Sequence, residues 1–343
     1  MGYLCRKDPS LHHSQIIIPL STMKAAITTK AGGPEVIQIR EVPKPTPEKG
    51  WVIIKVKATG LNRSELFTRK GDSPGVVFPR IQGIECVGEV EDDPSGTYQP
   101  GQKVAAIMGE MGRQFDGGYA EYTRVPFPNV FPFESSLPWK ELGAIPEMFQ
   151  TTSGSLLQAL EVTKGETLLI RGGSSSIGML ACQLGKHYGL TVISTTRNPG
   201  KAKLLKDNGA DHVVLDDGQI SGKIAGLYPA GVDKVLELIG TDTLKDSLKC
   251  IKPKGIVCMT GILSGWTLKE FIPMNDIPRM GRLTAYSGDA ENLDKALLQD
   301  FIDAVEKGTL KLNIDRHYRL DQIPEAHAYM ESNQNAGKIV VEM

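Results

Sequence analysis

Residues 168–178 read Leu168-Leu-Ile-Arg-Gly-Gly-Ser-Ser-Ser-Ile-Gly178, and the residue pattern changes along this stretch. An apolar run typical of a buried strand leads into a turn of small residues, and residues 179–188 then repeat apolar positions with helical spacing. A strand, a tight glycine-rich turn and a helix start form the arrangement in which Rossmann-type folds bind a dinucleotide pyrophosphate. We therefore expect a dinucleotide-binding unit around this stretch.

Strand-like runs recur after this stretch, and each is separated from the next by a segment of helix length. Together with the first, they lie at 167–171, 191–195, 212–215, 233–238, 256–260 and 282–286. Strands that alternate with helices in this way build βαβ units and a parallel, doubly wound sheet. The pattern predicts an α/β Rossmann domain over residues 147–289.

The remainder of the chain has a different rhythm. Residues 23–146 show short strand-like runs between turns rich in proline and glycine, which favours a partly open β-barrel. Residues 290–343 predict an amphipathic helix, with Leu297, Phe301, Ile302 and Val305 on one face, and a closing strand at 338–342. We assign 23–146 and 290–343 to one substrate domain, and we expect residues 1–22 to be a disordered extension.

Composition and charge exclude several classes of function. The 343 residues exceed what one core usually supports, and the net charge of -1 favours neither nucleic acid nor an acidic membrane as a partner. No apolar run approaches the roughly 20 residues that span a bilayer. The five cysteines are scattered without C-x-x-C spacing, which is typical of a reducing compartment and predicts a cytoplasmic protein.

The glycine-rich turn supplies the first candidate binding residues. Gly173, Ser175 and Gly178 occupy the positions of a G-x-G-x-x-G fingerprint, with serine in place of the middle glycine. We expect the pyrophosphate to be bound by Gly173, Ser174, Ser175, Ser176, Ile177 and Gly178, with helix N-terminal amides as the anion site. The Ser175 hydroxyl could add a hydrogen bond. The alternative is an ordinary turn.

The second strand of the unit bears on the choice of cofactor. An NAD site presents an acid here to the ribose 2′-hydroxyl, but this chain has none between residues 191 and 206. Thr196, Arg197 and Lys201 could instead bind a 2′-phosphate, Arg197 with a planar fork of donors. These residues predict NADPH as the cofactor, and the alternative is a solvated basic loop.

Several motifs in fixed order resemble the medium-chain dehydrogenase/reductase superfamily over residues 23–343, and most closely its zinc-independent quinone oxidoreductase (zeta-crystallin-like) branch. The motifs are Gly60-Leu-Asn-Arg-Ser-Glu65, Arg69-Lys-Gly71, Pro79-Arg-Ile-Gln-Gly-Ile-Glu-Cys-Val-Gly88, Pro100-Gly-Gln-Lys-Val104, Gly117-Gly-Tyr-Ala-Glu121, Ile145-Pro-Glu-Met-Phe-Gln-Thr151, Ile323-Pro-Glu-Ala-His327 and Gly337-Lys-Ile-Val340. The resemblance implies a GroES-like substrate domain, a Rossmann domain and a homodimer.

The same resemblance implies that no zinc is bound. Zinc-dependent relatives carry a cysteine where this chain has Asn62 and a histidine where it has Ile84. The acids that remain, Glu85 and Glu147, make a poor zinc site by themselves. A close group of four cysteines, which binds structural zinc in some relatives, is also missing from the sequence.

The resemblance further implies a reaction and its residues. Without a Lewis acid, we expect hydride transfer to a quinone or another α,β-unsaturated carbonyl, since such acceptors are already activated. Asn62 matches an active-site position, although with Glu65 it could equally cap a helix over residues 63–69. Thr151 matches a position that contacts the nicotinamide or its ribose. Many relatives carry a tyrosine where this chain has Phe67, so water is the expected proton source.

An apolar pocket and two rival functions complete the expectations. Met108, Met111, Phe115 and Phe149 are candidates to line a quinone-sized pocket, although such residues are more often core. One rival is an alkenal or enoyl-thioester reductase, which needs the same fold and cofactor. The other is a non-enzymatic NADPH-binding protein that acts as a crystallin or binds nucleic acid.

Overall fold

The strands of the chain form three sheets in the computed structural model, which describes residues 21–343. The strands are β1 (Thr22–Thr28), β2 (Ile37–Pro43), β3 (Trp51–Gly60), β4 (Arg80–Ile81), β5 (Glu85–Asp92), β6 (Lys103–Ile107), β7 (Tyr122–Pro126), β8 (Val130–Pro132), β9 (Thr167–Arg171), β10 (Thr191–Thr196), β11 (His212–Leu215), β12 (Val232–Glu237), β13 (Ile251–Met259), β14 (Arg282–Ala285), β15 (Ile314–Arg319) and β16 (Lys338–Glu342). Strand β1 already includes Thr22, and the rest of the expected disordered extension, residues 1–20, lies outside the described residues.

The helices are mostly short and connect the strands. They are α1 (Arg63–Lys70), α2 (Trp139–Leu142), α3 (Pro146–Ser153), α4 (Ser176–His187), α5 (Ala202–Asp207), α6 (Ser221–Leu227), α7 (Thr241–Leu248), α8 (Pro273–Asp276), α9 (Lys295–Glu306) and α10 (Ile323–Glu331). A π-helical turn, Gly154–Ala159, continues α3. Within residues 21–343, no helix is long and apolar enough to cross a membrane.

One sheet has six parallel strands in the order β11-β10-β9-β12-β13-β14. This is the order of a doubly wound Rossmann sheet, with the glycine-rich turn at the end of its central strand β9. The apolar residues of β9 are fully buried, as expected for a strand covered on both faces. The predicted α/β class and all six strands are confirmed; β13 starts at Ile251, earlier than expected.

The other sheets form the GroES-like unit. A seven-stranded sheet runs β15-β16-β3-β5-β6-β8, with β7 also paired to β3, and a three-stranded sheet runs β2-β1-β4. Strand β16 follows the Rossmann unit in sequence, yet it pairs antiparallel with β3 and places Val340 opposite Gly60. The predicted combination of a β-rich domain with a Rossmann domain is therefore confirmed, while the domain boundaries stay a prediction.

Two of the expected pocket residues, Phe115 and Phe149, do not line the cavity described below, which corrects the prediction for them. Phe149 in α3 stacks on Phe301 of α9 with ring centroids 4.7 Å apart. Phe115 packs edge-on against Trp51 at 5.3 Å. Both rings pack against other aromatic side chains and do not line the pocket, which is a common arrangement for phenylalanine. In α9, Leu297 is also more exposed than expected for the apolar face.

Candidate active site

A cavity of about 600 Å³ lies where the glycine-rich turn meets the GroES-like unit. Its apolar wall includes Ile84, Met108, Met111, Met259, Ile262 and Trp266. Its polar wall includes Asn62, Arg63, Arg113, Glu147, Thr151 and Tyr286. The volume and the mixture of many apolar groups with few polar ones are typical of a site for a small molecule.

The predicted apolar residues contribute only part of this wall. Met108 and Met111 line the cavity as expected. Met259, Ile262 and Trp266 were missed; they lie at the end of β13 and in the loop after it. In open α/β sheets, ligands bind beyond the carboxyl ends of the strands, so the position of this loop was the signal that could have identified them.

The glycine-rich turn is shaped by close contacts. Gly172, which was not among the predicted residues, has φ +90° and makes the turn after β9. A Cβ on Gly173 would lie 1.8 Å from Oγ of Ser194, and a Cβ on Gly178 would lie 2.6 Å from the Gly172 carbonyl oxygen. Gly173 and Gly178 therefore allow strand, turn and helix to pack closely, and neither borders the cavity.

Helix α4 begins at the cavity with two free amides. Ser175 is its N-cap: Oγ accepts from the Gly178 N–H at 3.0 Å and donates to the Gly172 carbonyl at 2.9 Å. The hydroxyl therefore caps the helix, which differs from the expected phosphate contact. Ser176 and Ile177 line the cavity, and their N–H groups have no partner within residues 21–343. Such amides fit a pyrophosphate. Ser174 does not border the cavity.

The residues expected to bind a 2′-phosphate follow β10. Arg197 is exposed and makes no ion pair within the described residues, whereas the Thr196 hydroxyl donates to the Asn198 carbonyl at 3.2 Å. Nζ of Lys201 donates to the carbonyl of Asn335, a cavity-lining residue, at 3.3 Å. Thr196 and Lys201 thus already form hydrogen bonds within the chain, whereas the Arg197 guanidinium is available to bind an anion.

The third strand brings an acid to this place, which the sequence pattern did not reveal. The Asp216 N–H donates to the Thr196 carbonyl at 2.9 Å, so the two residues are neighbours across the sheet. Its carboxylate accepts two hydrogen bonds from Arg171, at 2.9 and 3.0 Å. Burial raises the pKa of Asp216, but these bonds outweigh it and lower the pKa overall. The acid is ionised, and Arg171, which also donates to Asp246 at 2.9 Å, holds its carboxylate.

A buried lysine lies behind the polar wall of the cavity. Nζ of Lys338 contacts Oδ1 of Asn62 at 2.6 Å, Oε1 of Glu85 at 2.7 Å and Oε2 of Glu147 at 3.2 Å. We call Lys338, Asn62, Glu85 and Glu147 the lysine centre. Burial lowers the pKa of Lys338, but the charges of Glu85 and Glu147 outweigh it, and the pKa is raised. The side chain is an ammonium.

The lysine centre determines the orientation of the Asn62 amide. Lysine only donates and a carboxylate only accepts, so Oδ1 must face Lys338 and Nδ2 must face Glu85, at 2.9 Å. Nδ2 also donates to the Gly60 carbonyl at 3.3 Å. In the backbone, the Asn62 N–H donates to Glu65 at 2.7 Å, as in half of the expected capping box. Asn62 borders the cavity, but its amide hydrogens are already engaged.

Thr151 is connected to the same centre and lines the cavity. Its hydroxyl donates to Oε1 of Glu147 at 2.9 Å, while the Glu147 N–H donates to Oε2 of Glu85 at 2.8 Å. The Thr151 oxygen therefore presents its lone pairs away from Glu147. Orientation of this hydroxyl depends on Glu147 and, through Glu147, on Lys338.

Two aromatic residues that line the cavity, Trp266 and Tyr286, make contacts with their neighbours. Phe67 packs against Trp266 with ring centroids 6.3 Å apart, so the position at which many relatives carry a tyrosine holds an apolar contact. The Tyr286 hydroxyl accepts a hydrogen bond from Nε2 of Gln150 at 2.9 Å, and burial raises the pKa of Tyr286 to about 12. Tyr286 therefore keeps its proton at neutral pH.

The side chains at this place do not fit a zinc ion. Among residues 21–343, no group of three histidine, cysteine or acidic side chains could hold a metal. The oxygen atoms of Asn62, Glu85 and Glu147 instead converge on the ammonium of Lys338, which would repel a second cation at the same point.

Comparison with known proteins assigns the chain to a class. The family model of the alcohol dehydrogenase GroES-like domain matches residues 48–135, and that of zinc-binding dehydrogenases matches residues 208–341. Both models match in the order that the fold shows. The chain belongs to the medium-chain dehydrogenase/reductase superfamily, and it is an oxidoreductase of a family that uses nicotinamide cofactors.

Individual relatives cover nearly the whole chain. Human quinone oxidoreductase is 28% identical over 334 residues, which are 93% of this chain and 97% of the human protein. Among solved structures, an NAD-dependent alcohol dehydrogenase (25% identity, TM-score 0.84) and a mycobacterial protein complexed with NADPH (26%, 0.82) each match 94% of this chain and 100% of their own. One neighbour is NAD-dependent and the other binds NADPH, so they do not decide between the cofactors.

Proposed function

We propose that this protein is an NADPH-dependent reductase that transfers hydride to a quinone or another α,β-unsaturated carbonyl, without zinc. The observation that carries the proposal is the continuity of the cavity, which joins the free amides of Ser176 and Ile177 to an apolar wall of methionines and Trp266. A dinucleotide bound by the amides would extend along this wall. When bound, NADPH supplies the hydride.

Three features support NADPH over NADH. Arg197 is exposed, unpaired within the described residues and next to the strand end at which the adenosine ribose lies in Rossmann sites. Lys201 adds a second cation nearby. Asp216, which neighbours Thr196, accepts two hydrogen bonds from Arg171, so its carboxylate is not free for a ribose hydroxyl and its repulsion of a 2′-phosphate is reduced.

The apolar wall suits an acceptor that is activated before it binds. Ile84, Met108 and Met259 exclude water, which strengthens the remaining polar interactions in the cavity. The lysine centre supplies fixed charge and orients Thr151. The Glu147 carboxylate at the cavity already accepts from Thr151 and Lys338, which favours reduction of conjugated carbonyls over alcohol oxidation.

A spectrophotometric screen tests the proposal. Purified protein with NADPH or NADH is mixed with quinones, enals and simple alcohols, with and without a chelator. We expect NADPH oxidation with at least one conjugated acceptor, unchanged by the chelator. Chelator-sensitive alcohol oxidation would overturn the mechanism. Tight NADPH binding without turnover of any acceptor would favour the non-enzymatic alternative.

Two arginines favour enoyl-thioester reduction as a second candidate. Arg63 and Arg113 both line the cavity, and Nε of Arg113 is buried without a partner in the described residues. Cations beside an apolar wall suit an acceptor that carries an anionic group, such as the phosphates of an acyl-thioester carrier. Arg113→Ala should raise the KM of an enoyl thioester with phosphates but not that of a neutral enone. Equal effects on both would exclude this candidate.

We also propose a cytoplasmic homodimer. Strand β14 is an edge strand, and exposed apolar side chains lie in the segment before it, with Met274 91% and Ile272 55% exposed. Exposed edges and apolar patches of this kind are usually covered by a partner. Sedimentation of the wild type and of Met274→Lys tests this proposal. The wild type should be a dimer, and the dissociation constant of the dimer should be higher for the variant.

A further inference from the structure

By the family resemblance of the sequence, the lysine centre includes a position at which zinc-dependent relatives carry a metal ligand. Asn62 and Ile84 replace two of the ligands there, and Glu85 and Glu147 are the acids that remain. We propose that the Lys338 ammonium is the built-in cation of this site, and that it is a positioning residue for Asn62 and, through Glu147, for Thr151. This inference rests on the proposed zinc-independent function and deepens it.

The hydrogen bonds of Lys338 define what it can do. An ammonium has three N–H donors, and the three are directed at Asn62, Glu85 and Glu147. Lys338 is fully buried and does not border the cavity. It therefore has no hydrogen left for a bound acceptor. Its action on the reaction passes through the side chains that it holds.

The charges of the centre match this role. One ammonium faces two carboxylates, Glu85 and Glu147, so the group as a whole carries one negative charge. Without Lys338, two buried carboxylates and the oxygen of Asn62 would face one another around an empty point. Three oxygen donors around such a point form the beginning of a site for a divalent cation.

The backbone supplies an independent observation for this arrangement. Gly60 lies opposite Val340, where β3 pairs with β16. A Cβ on Gly60 would lie 2.3 Å from Cε of Lys338 and 2.5 Å from Oε1 of Glu85. Atoms cannot approach that closely, so the path of the lysine side chain to the centre requires glycine at this position.

Zinc titration of purified variants, without cofactor or acceptor, tests the inference directly. The proteins are dialysed to remove metals, and ZnCl₂ binding is measured by calorimetry for wild type, Lys338→Met and Lys338→Arg. We expect no stoichiometric zinc binding by wild type or Lys338→Arg, and measurable but weak binding by Lys338→Met, because three oxygen donors are a poor ligand set for zinc. Lys234→Met is the matched control. Lys234 is also buried, its Nζ lies 3.6 Å from Oε1 of Glu166, and it does not line the cavity. The control should behave as wild type.

Steady-state kinetics provide the second readout. Lys338→Met should lower kcat at least tenfold and change the KM for NADPH less than threefold, whereas Lys234→Met should change neither. If Lys338→Met does not fold, Lys338→Met with Glu85→Gln restores the net charge of the centre and should still lose kcat. Wild-type kcat without Lys338, or equal zinc affinity with and without it, would overturn the inference. A wild type that turns over no acceptor would instead defeat the proposed function and leave the zinc titration interpretable.

Discussion

Two of the buried cations within residues 21–343, Arg171 and Lys338, have different surroundings. In the Rossmann unit, Arg171 donates to Asp216 at 2.9 and 3.0 Å and to Asp246 at 2.9 Å, and we call these three residues the arginine cluster. In the GroES-like unit, Lys338 is held by an amide and two carboxylates. Both cations have fully buried side chains, and both are surrounded by acids.

The difference lies in what the partners touch. Asp216 and Asp246 do not border the cavity, whereas Asn62 and Glu147 do. A fork-shaped guanidinium can bind two acids rigidly, and a compact ammonium suits a point on which three groups converge. Burial and ion pairing alone therefore do not indicate function. A buried cation affects the reaction when its partners line the site.

The largest expected effect belongs to the arginine cluster. Arg171→Met leaves Asp216 and Asp246 buried without a partner, and breaking a buried pair costs about 3–5 kcal/mol of unfolding free energy. Urea unfolding followed by circular dichroism measures it. The kcat per folded molecule at saturating NADPH should stay near wild type, whereas the KM for NADPH should rise, because Asp216 has lost the cation that holds it. Lys203→Met is the control, because its pair with Asp207 is exposed and worth under about 1 kcal/mol. Equal losses in the two variants would remove the distinction between buried and exposed pairs.

A third buried group, away from the cavity, sharpens the comparison through pH. Burial raises the pKa of Glu65 to about 7 from 4.5, although Tyr119 and the Asn62 and Ile84 amides donate to it. Burial, with Arg69 adding to it, lowers the pKa of His327 to about 3 from 6.5. His327 meets Glu65 through the Tyr119 hydroxyl.

The two shifts act in opposite directions on stability. Glu65 holds a proton in the folded state that the unfolded state has lost, so its contribution is complete below pH 4.5 and is lost as pH rises to about 7. The unfolded state holds the His327 proton up to pH 6.5, so that contribution grows with pH from about 3 to 6.5. In Glu65→Gln this loss is absent. The unfolding free energy at pH 6.5 minus that at pH 4.5 should therefore be about 2–3 kcal/mol larger in the variant than in wild type. Unfolding curves across this range measure the slope, and an unchanged slope would contradict the assignment.

Arg197 is an exposed cation, in contrast to the buried Arg171 and Lys338. Arg197→Ala should weaken NADPH binding about 10-fold to 100-fold, equivalent to about 1.5–3 kcal/mol, because a charge-assisted phosphate contact is lost. NADH binding should stay the same, since NADH has no 2′-phosphate. Fluorescence titration of both cofactors measures this, with Lys203→Ala as the control in the same segment. If wild type binds both cofactors equally, the preference for NADPH is wrong.

The smallest expected effect concerns the glycine-rich turn. Ser175→Ala removes an N-cap and should cost about 1 kcal/mol of stability. NADPH affinity should change less than threefold, because Oγ already bonds Gly172 and Gly178. Ser221→Ala, at the start of α6, is the control, since that side chain caps nothing. A large loss of affinity in Ser175→Ala would place a phosphate on this hydroxyl, as the sequence pattern first suggested.

The sequence predicted the parts of the molecule that depend on local periodicity. The six parallel strands and the turn after β9 follow from runs of apolar residues and from small residues at short spacing. The role of Ser175 was harder to predict, because a cap and a phosphate ligand use the same hydroxyl in the same place. Gly172 escaped notice since only the backbone reveals its positive φ.

Contacts between distant segments could not be predicted. Lys338 and Asn62 are separated by 276 residues, and no local pattern links them. Asp216 approaches Thr196 because two strands are neighbours in the sheet, which the search for an acid within residues 191–206 could not detect. Phe115 and Phe149 were wrongly predicted to line the pocket because only their residue type was considered. In the fold they pack against Trp51 and Phe301.

The pairing of β16 with β3 also has a consequence for the order of folding. Residues 167–285 can form their sheet from strands that lie close together in sequence. One partner of β3 is β16, which is synthesised after the whole Rossmann unit, so this pairing forms later. Closing so long a loop costs entropy before any contact repays it, so we expect the barrel to complete last. Pulse-labelling hydrogen exchange during refolding should protect the amides of β9 and β10 earlier than those of β3 near Gly60. Until β16 arrives, Glu85 and Glu147 have no ammonium between them, and the nascent barrel carries an unshielded pair of acids.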